Sequence, residues 1–267
     1  MTDPFAGARV LITGGYTGIG AGLAEAFAAS GAIVGIAARR HARLVEVVDR
    51  CRVHSPDSTM WALDLTEDDA VDRLADEALD RLGGVDILVN NAGVPKRRHV
   101  MKLDPATVTA VMAVNYLSPV RLTLALLPHM VERGSGRIVN VSSVAAPLSS
   151  PGEAAYDASK AALAVFSEAM AVDLWETGVG VTVVYPGVVD TELFTLPDND
   201  PFTDDIEPLP VGEAVAAIMA AVAEGAQSVY VPEYFAEFAL QKAQDPVGFL
   251  AGTAAYVKAR SEQQGGS

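Results

Sequence analysis

Tyr156 and Lys160 stand four residues apart in an alanine-rich stretch from Gly152 to Glu176. That spacing puts both side chains on one face of a helix. Tyr156 is the one tyrosine of seven with a lysine at this distance. An ammonium beside a phenol favours phenolate and draws its pKa down from about 10 toward working pH, where proton exchange is most effective. Ser143, thirteen residues earlier, ends a β-rich run, where its hydroxyl can reach the same place. Its neighbour Ser142 is the alternative, but strand alternation turns it to the opposite side. Asn115 is a polar residue in an apolar helix that opens on Asp104-Pro105, a cap followed by proline in the first turn. Pro119, four residues on, has no amide hydrogen for the Asn115 carbonyl, which leaves that carbonyl to a water or another donor.

A second group suits phosphate. Thr13-Gly14-Gly15-Tyr16-Thr17-Gly18-Ile19-Gly20 leaves a hydrophobic strand and enters an amphipathic helix, so amides and the positive helix end face whatever lies above the turn. A pyrophosphate fits there: the glycines Gly14, Gly18 and Gly20 are needed because a Cβ would block close approach of backbone to phosphate, and the last one, Gly20, lets the helix pack tightly on its strand.

These residues need a scaffold. β-Rich runs at Arg9–Thr13, Ile33–Ala38, Thr59–Leu63, Val85–Asn90, Arg137–Ser142, Val179–Tyr185 and Ser228–Val231 alternate with longer helical runs. Strand–helix alternation predicts a doubly wound, mostly parallel Rossmann sheet of about seven strands with helices on both faces, in one domain over residues 1–267. Ligands of such sheets sit at the carboxyl ends of strands, where the notable residues fall. Half the residues are hydrophobic and 20% are charged, enough apolar material for strands buried on both sides.

The net charge of −15 speaks against nucleic acid and membrane surfaces as partners. The single cysteine, Cys51, excludes a disulfide framework and cysteine-based zinc sites, and no metal is expected. Met1–Arg9 has no leader pattern and nowhere do eighteen apolar residues run together, so a cytoplasmic protein is expected.

The glycine spacing resembles that of the short-chain dehydrogenase/reductase family, and the resemblance continues along most of the chain. Asn90-Asn91-Ala92-Gly93 looks like the family's sheet-stabilising turn beside the adenosine, and Asp64-Leu65 matches its adenine-contacting position. The Ser143, Tyr156, Lys160 spacing and the place of Asn115 match its catalytic set. The resemblance implies that Ser143 bonds the substrate oxygen, that Tyr156 gives or takes the proton, and that Lys160 holds the nicotinamide ribose. Asn115 would anchor a water leading to that lysine. Tyr16, Thr17 and Ile19 would complete the phosphate turn. Pro186-Gly187 would close beside the nicotinamide, with Val188 and Val189 along the backbone and Thr191 bonding the carboxamide. A substrate lid over residues 192–210 would follow, rich in proline and acid, and Glu262–Ser267 reads as a disordered tail.

An NAD enzyme commonly ends its second strand on an acidic residue that binds the ribose 2′-hydroxyl. Here that position is Ala38, followed by Arg39, Arg40, His41 and Arg43, which favours NADP(H) over NAD(H), with Arg39 as the main phosphate contact. The run Lys96–His99 is read as a solvated loop, the alternative being an anion-binding rim of the pocket. Leu148, Ser149, Tyr185, Phe194 and Phe202 are expected as pocket wall. Apolar residues on more than one stripe of Thr107–Met130 and Ala154–Trp175 predict a homodimer or homotetramer. The leading expectation is an oxidoreductase acting on a small-molecule carbonyl or alcohol. A catalytically silent dinucleotide sensor and an epimerase or dehydratase are the alternatives.

Overall fold

The computed structural model describes residues 3–67, 69–201 and 206–264. Seven strands, β1 (Arg9–Thr13), β2 (Ile33–Ala38), β3 (Thr59–Ala62), β4 (Ile87–Asn90), β5 (Gly136–Val141), β6 (Val179–Pro186) and β7 (Ser228–Val231), form one sheet. Their order is β3-β2-β1-β4-β5-β6-β7 and each neighbouring pair is parallel. Chain direction reverses across the sheet between β1 and β4, which opens a crevice above their carboxyl ends.

Helices α1 (Gly18–Ala29), α2 (His41–Arg52) and α3 (Ala70–Leu82) connect the first four strands. Next, α4 (Pro105–Met112), one π-helical turn (Ala113–Leu117) and α5 (Ser118–Arg133) run end to end. Then come the short α6 (Ala145–Leu148), α7 (Ala154–Asp173), α8 (Val211–Glu224), α9 (Phe235–Gln244) and α10 (Pro246–Gln264). Strand alternation divides the core in two. Val10, Ile12 and Val34 face Leu23, Phe27, Leu44 and Ile218 from α1, α2 and α8. Leu11, Leu88 and Ile138 face Leu74, Leu122, Leu126 and Met170 from α3, α5 and α7. The expected doubly wound α/β fold is the one observed.

Asp104 caps α4 by accepting from the Thr107 amide, with Pro105 in the first turn. The continuous stretch Pro105–Arg133 reaches a mean hydropathy of 1.5, long and apolar enough to cross a membrane by length and composition. One side of it is spent on the sheet instead, through Leu122, Leu126 and Met130. Past β7 the strand–helix alternation stops, and α9 and α10, not foreseen from the sequence, complete the described chain. Helix α10 runs through Gln264, so the expected disordered tail is helical at 262–264, and 265–267 lie outside the described residues.

A buried amide network locks sheet to helices beneath the crevice. Asn90 Nδ2 donates to Asn140 Oδ1 at 2.8 Å across β4 and β5 and to Thr123 Oγ1 of α5 at 3.0 Å. Asn140 Nδ2 donates to Ser167 Oγ of α7 at 2.7 Å. Asn140 is fully buried, so Asn140→Ala strands two polar partners and leaves a small cavity. It is expected to lower unfolding free energy by about 2–4 kcal/mol in urea titrations, since each orphaned partner costs about 1–3 kcal/mol; an unchanged midpoint would contradict this account.

Candidate active site

The loops leaving β1, β2, β4, β5 and β6 converge on one cavity of about 400 Å3. At its base the glycine turn leads from β1 into α1, with Gly14 and Gly18 in the left-handed region at φ +68° and +54°. Thr17 makes no side-chain cap bond and the first turn of α1 holds no acidic residue, so its amide donors stay available to a ligand. Asn91 ties this turn to β4: its Nδ2 donates to the carbonyls of Thr13 and Gly14 at 3.1 and 3.2 Å. The amides of Asn91 and Ala92 both donate to Thr13 Oγ1 at 3.1 Å.

The residues expected to hold a cofactor line the cavity, Gly20 excepted. Gly20 lies beneath the turn, where a Cβ would come 2.4 Å from the Gly14 carbonyl oxygen, so its role is close packing. Thr191 packs on Gly18, whose Cβ would meet Thr191 Cγ2 at 2.8 Å, and its hydroxyl accepts from the Leu193 amide at 3.4 Å. Asp64 accepts from the Thr66 amide and hydroxyl at 2.9 and 2.8 Å. Burial alone would raise its pKa; those bonds and Arg39, 3.9 Å away, hold it below the usual value. Arg40 and Arg43 lie 3.6 and 3.5 Å from Glu192 across the mouth of the cleft.

Ser143, Tyr156 and Lys160 meet on the cavity wall. Ser143 lies beside Tyr156, near enough for its hydroxyl to favour the phenolate; its Oγ accepts from the Ala145 amide at 3.1 Å and donates toward the Pro186 carbonyl at 3.5 Å. Ser142 points away, donating to the Lys160 carbonyl at 2.8 Å, which leaves Ser143 as the serine of the site. Lys160 is 3% exposed, donates to the Val141 carbonyl at 2.8 Å, and lies 5.9 Å from the centre of the Tyr156 ring. Burial lowers Lys160 to about 8. The same enclosure raises the Tyr156 phenol, outweighing the Ser143 hydroxyl that lowers it, with Glu153 and Asp157 raising it further. The sequence-based expectation of a lowered phenol is therefore reversed in the protein without ligand, because desolvation of the phenolate dominates.

Asn115 sits behind this wall, fully buried in the π-helical turn. It clasps Val94, accepting from its amide at 2.8 Å and donating to its carbonyl at 3.0 Å, and also donates to Ser159 at 3.0 Å. The proline break expected here takes the form of a widened turn, in which the Ser118 amide donates to the Ala113 carbonyl. A Cβ on Gly93 would come 3.3 Å from Lys160 Nζ and 3.4 Å from Asn115 Oδ1.

Of the expected wall residues, Leu148 and Phe194 face the cavity. Tyr185 instead stacks on Tyr230 behind β6 and β7 and donates to Glu168. Ser149 turns outward to accept from Lys242, and Phe202 lies outside the described residues. Val94, Val144, Ile206 and Phe235 supply further apolar wall. Phe235, from α9, was invisible to strand–helix reasoning because it follows the last strand. Arg97 also lines the cavity with its side chain 7% exposed, so the solvated-loop reading fails there.

The model of the short chain dehydrogenase family matches residues 8–200. The chain belongs to the short-chain dehydrogenase/reductase family. A short chain dehydrogenase of Pseudocercospora fijiensis is 40% identical over 190 residues, 70% of this chain and 61% of that protein. A fatty acyl-CoA reductase of Acinetobacter baylyi is 35% identical over 189 residues, 70% of this chain and 64% of that protein. The chain thus spans about three fifths of the length of such curated relatives. A Burkholderia phymatum family member, solved in complex with NAD, superposes with a TM-score of 0.83 at 25% identity, over 92% of this chain and 95% of that one.

The buried lysine of this family site carries a pH signature. Lys160 loses its proton in the folded protein at about 8 and in the unfolded chain near 10.5. Between those values the folded state holds fewer protons, so its contribution to stability rises with pH. The stability difference between wild type and Lys160→Met should change by up to about 3 kcal/mol between pH 7 and 10.5, to the advantage of the wild type. Urea unfolding of both proteins at the two pH values checks it, and a difference independent of pH would refute the assignment.

Proposed function

We propose that this protein passes a hydride between a nicotinamide dinucleotide, NADP(H) in preference to NAD(H), and a carbonyl or alcohol carbon, with Tyr156 exchanging the proton. One observation carries the reading: the Tyr156 phenol, beside Ser143 and backed by Lys160, opens into the same cavity as the uncapped N-terminus of α1. The glycine turn would take the pyrophosphate, Asp64, Leu65 and Asn91–Gly93 would surround the adenosine, Lys160 would bind the ribose, and Pro186–Val189 with Thr191 would flank the nicotinamide. The bound nicotinamide supplies or accepts the hydride.

In the reducing direction Ser143 and Tyr156 both donate to the substrate oxygen. As negative charge builds, the phenol proton moves to that oxygen, and the Lys160 ammonium stabilises the phenolate left behind. Val141 holds the ammonium in position, and the clasp of Asn115 on Val94 steadies the loop beside it. The raised phenol starts protonated at neutral pH, which suits reduction; oxidation gains from higher pH.

The preference for NADP(H) is supported by Ala38, which brings no carboxylate to the end of β2, and by the arginines beyond it. The pairs of Arg39, Arg40 and Arg43 with Asp64 and Glu192 are long and exposed, worth about 0–1 kcal/mol each. They can exchange for the stronger bidentate grip on a 2′-phosphate. We keep the carbonyl class broad, because one relative is a fatty acyl-CoA reductase. The lone, buried Cys51 supports a reducing, cytoplasmic setting.

Titration with NADPH and NADH, followed by absorbance at the nicotinamide band with mixed ketones and alcohols, tests the reading. The expected result is tighter NADPH binding, a preference reversed in Arg39→Asp, and turnover that falls by at least about 10²-fold in Tyr156→Phe while binding persists. Binding without any turnover would favour the sensor; binding of neither cofactor would end the account.

We also propose a homodimer or homotetramer built on α5 and α7. Leu124 and Val131 of α5 and Val165 and Val172 of α7 are exposed, with Trp175 just beyond at 69% exposure. A mass of two or four chains by light scattering is expected at micromolar concentration, reduced by Val165→Glu with Val172→Glu; a monomeric wild type would exclude the interface.

A further inference from the structure

The basic run after β4 is spent on the segment that roofs the pocket. Arg97 Nη2 donates to the Phe194 carbonyl at 2.8 Å and Nε to the Asp200 carbonyl at 3.0 Å, so one guanidinium holds both ends of a seven-residue stretch, 194–200. Backbone bonds reinforce the clasp: the Arg97 amide donates to Asn199 Oδ1 and the Asp200 amide to the Arg97 carbonyl, both at 2.8 Å. Arg97 also lies 3.8 Å from Glu153, three residues before Tyr156, and over the Phe194 ring at 5.7 Å. Lys96 and Arg98 each pair with Asp198 at 2.6 Å, but Asp198 is 72% exposed, so those two pairs contribute little. Within the segment itself the ordering contacts are local: one short 3-10 turn, Glu192–Thr195, and Asn199 Nδ2 donating to the Leu196 and Pro197 carbonyls at 3.2 and 3.1 Å.

We propose that Arg97 is the positioning residue that holds the substrate lid, and that the pocket it roofs takes an uncharged, apolar carbonyl compound or alcohol. The positive charge of Arg97 is committed to Glu153 and to lid carbonyls, leaving it unsuited to receive a substrate carboxylate. The wall carries Val94, Val144, Leu148, Phe194 and Ile206, and of its polar members Glu153 is taken up by Arg97; the clasp sets the Phe194 ring in place before substrate arrives, which lowers the ordering cost of binding. This inference rests on the proposed function for its substrate half; its lid half stands on geometry alone.

The test pairs Arg97→Ala and Arg97→Lys with the wild type, full chain throughout. Lysine keeps the charge beside Glu153 but cannot reach both carbonyls in a planar fork. Hydrogen exchange without cofactor or substrate should show a protected Asp200 amide in the wild type and exchange across 194–200 faster by about tenfold or more in both variants. With NADPH and a series of aryl ketones against keto acids, KM for the aryl ketones should rise about tenfold in both variants, while kcat and NADPH affinity change little.

Unprotected Asp200 in the wild type overturns the lid half even if neither variant folds, as does unchanged exchange in folded variants. A wild-type preference for keto acids that Arg97→Ala abolishes overturns the substrate half and makes Arg97 an anion receptor. Failure of the wild type to bind NADPH would instead sink the proposed function, and the exchange result would still decide the lid.

Discussion

A sheet whose strands all run one way brings every carboxyl end to a single edge, and the backbone must leave the sheet there without further ladder partners. In this protein the order β3-β2-β1-β4-β5-β6-β7 sends successive chains away from the centre in opposite directions, so the crevice opens above β1 and β4. The cavity is built at that edge. The glycine turn follows β1, the arginine cluster β2, the Asn91 turn β4, Ser143 β5 and the Pro186–Thr191 segment β6. Asn90 and Asn140, bonded at 2.8 Å one layer below, hold the two central strands in the register that makes those ends level.

Polar groups gathered at such an edge pay for their burial with hydrogen bonds or with altered acidity. Asn90, Asn115 and Asn140 follow the first course, each engaging backbone or side-chain partners. Tyr156 and Lys160 follow the second: enclosure pushes the phenol up and the ammonium down to about 8, so each moves toward its neutral form. The Val141 carbonyl supplies one acceptor for the ammonium, and the space at Gly93 spares it a side chain at 3.3 Å. A site built this way has strong electrostatics and little reorganisation left to do.

The outer wall is assembled from segments distant in sequence. Glu192 reaches toward Arg40 and Arg43 across the cofactor cleft, while Arg97 grips the next residues of the same segment from the opposite side. Phe235 of α9 leans on Gly187, where a Cβ would come 2.5 Å from its ring. The bridge from Val189 to Leu209 closes the base of the excursion. The outer wall of the cavity therefore draws on the loop after β4, the segment after β6 and α9 together.

Periodicity and spacing determined the fold class, the seven strands, the cap on α4, the glycine turn and the Tyr156–Lys160 pair, because each depends on short-range rules: alternation in a strand, four residues per helical face, glycine at a tight turn. Tyr156, Lys160, Ser143 and the glycine turn were legible for that reason. The other expected cavity residues came from the resemblance of the motifs to one family. Tertiary structure decided what such rules cannot reach. It turned Tyr185 behind the sheet, buried Arg97 against the segment after β6, brought Phe235 to the pocket, and reversed the expected shift of the Tyr156 phenol. Each of those outcomes depends on contacts between residues tens of positions apart and on how completely packing excludes water, and local pattern carries no information about either.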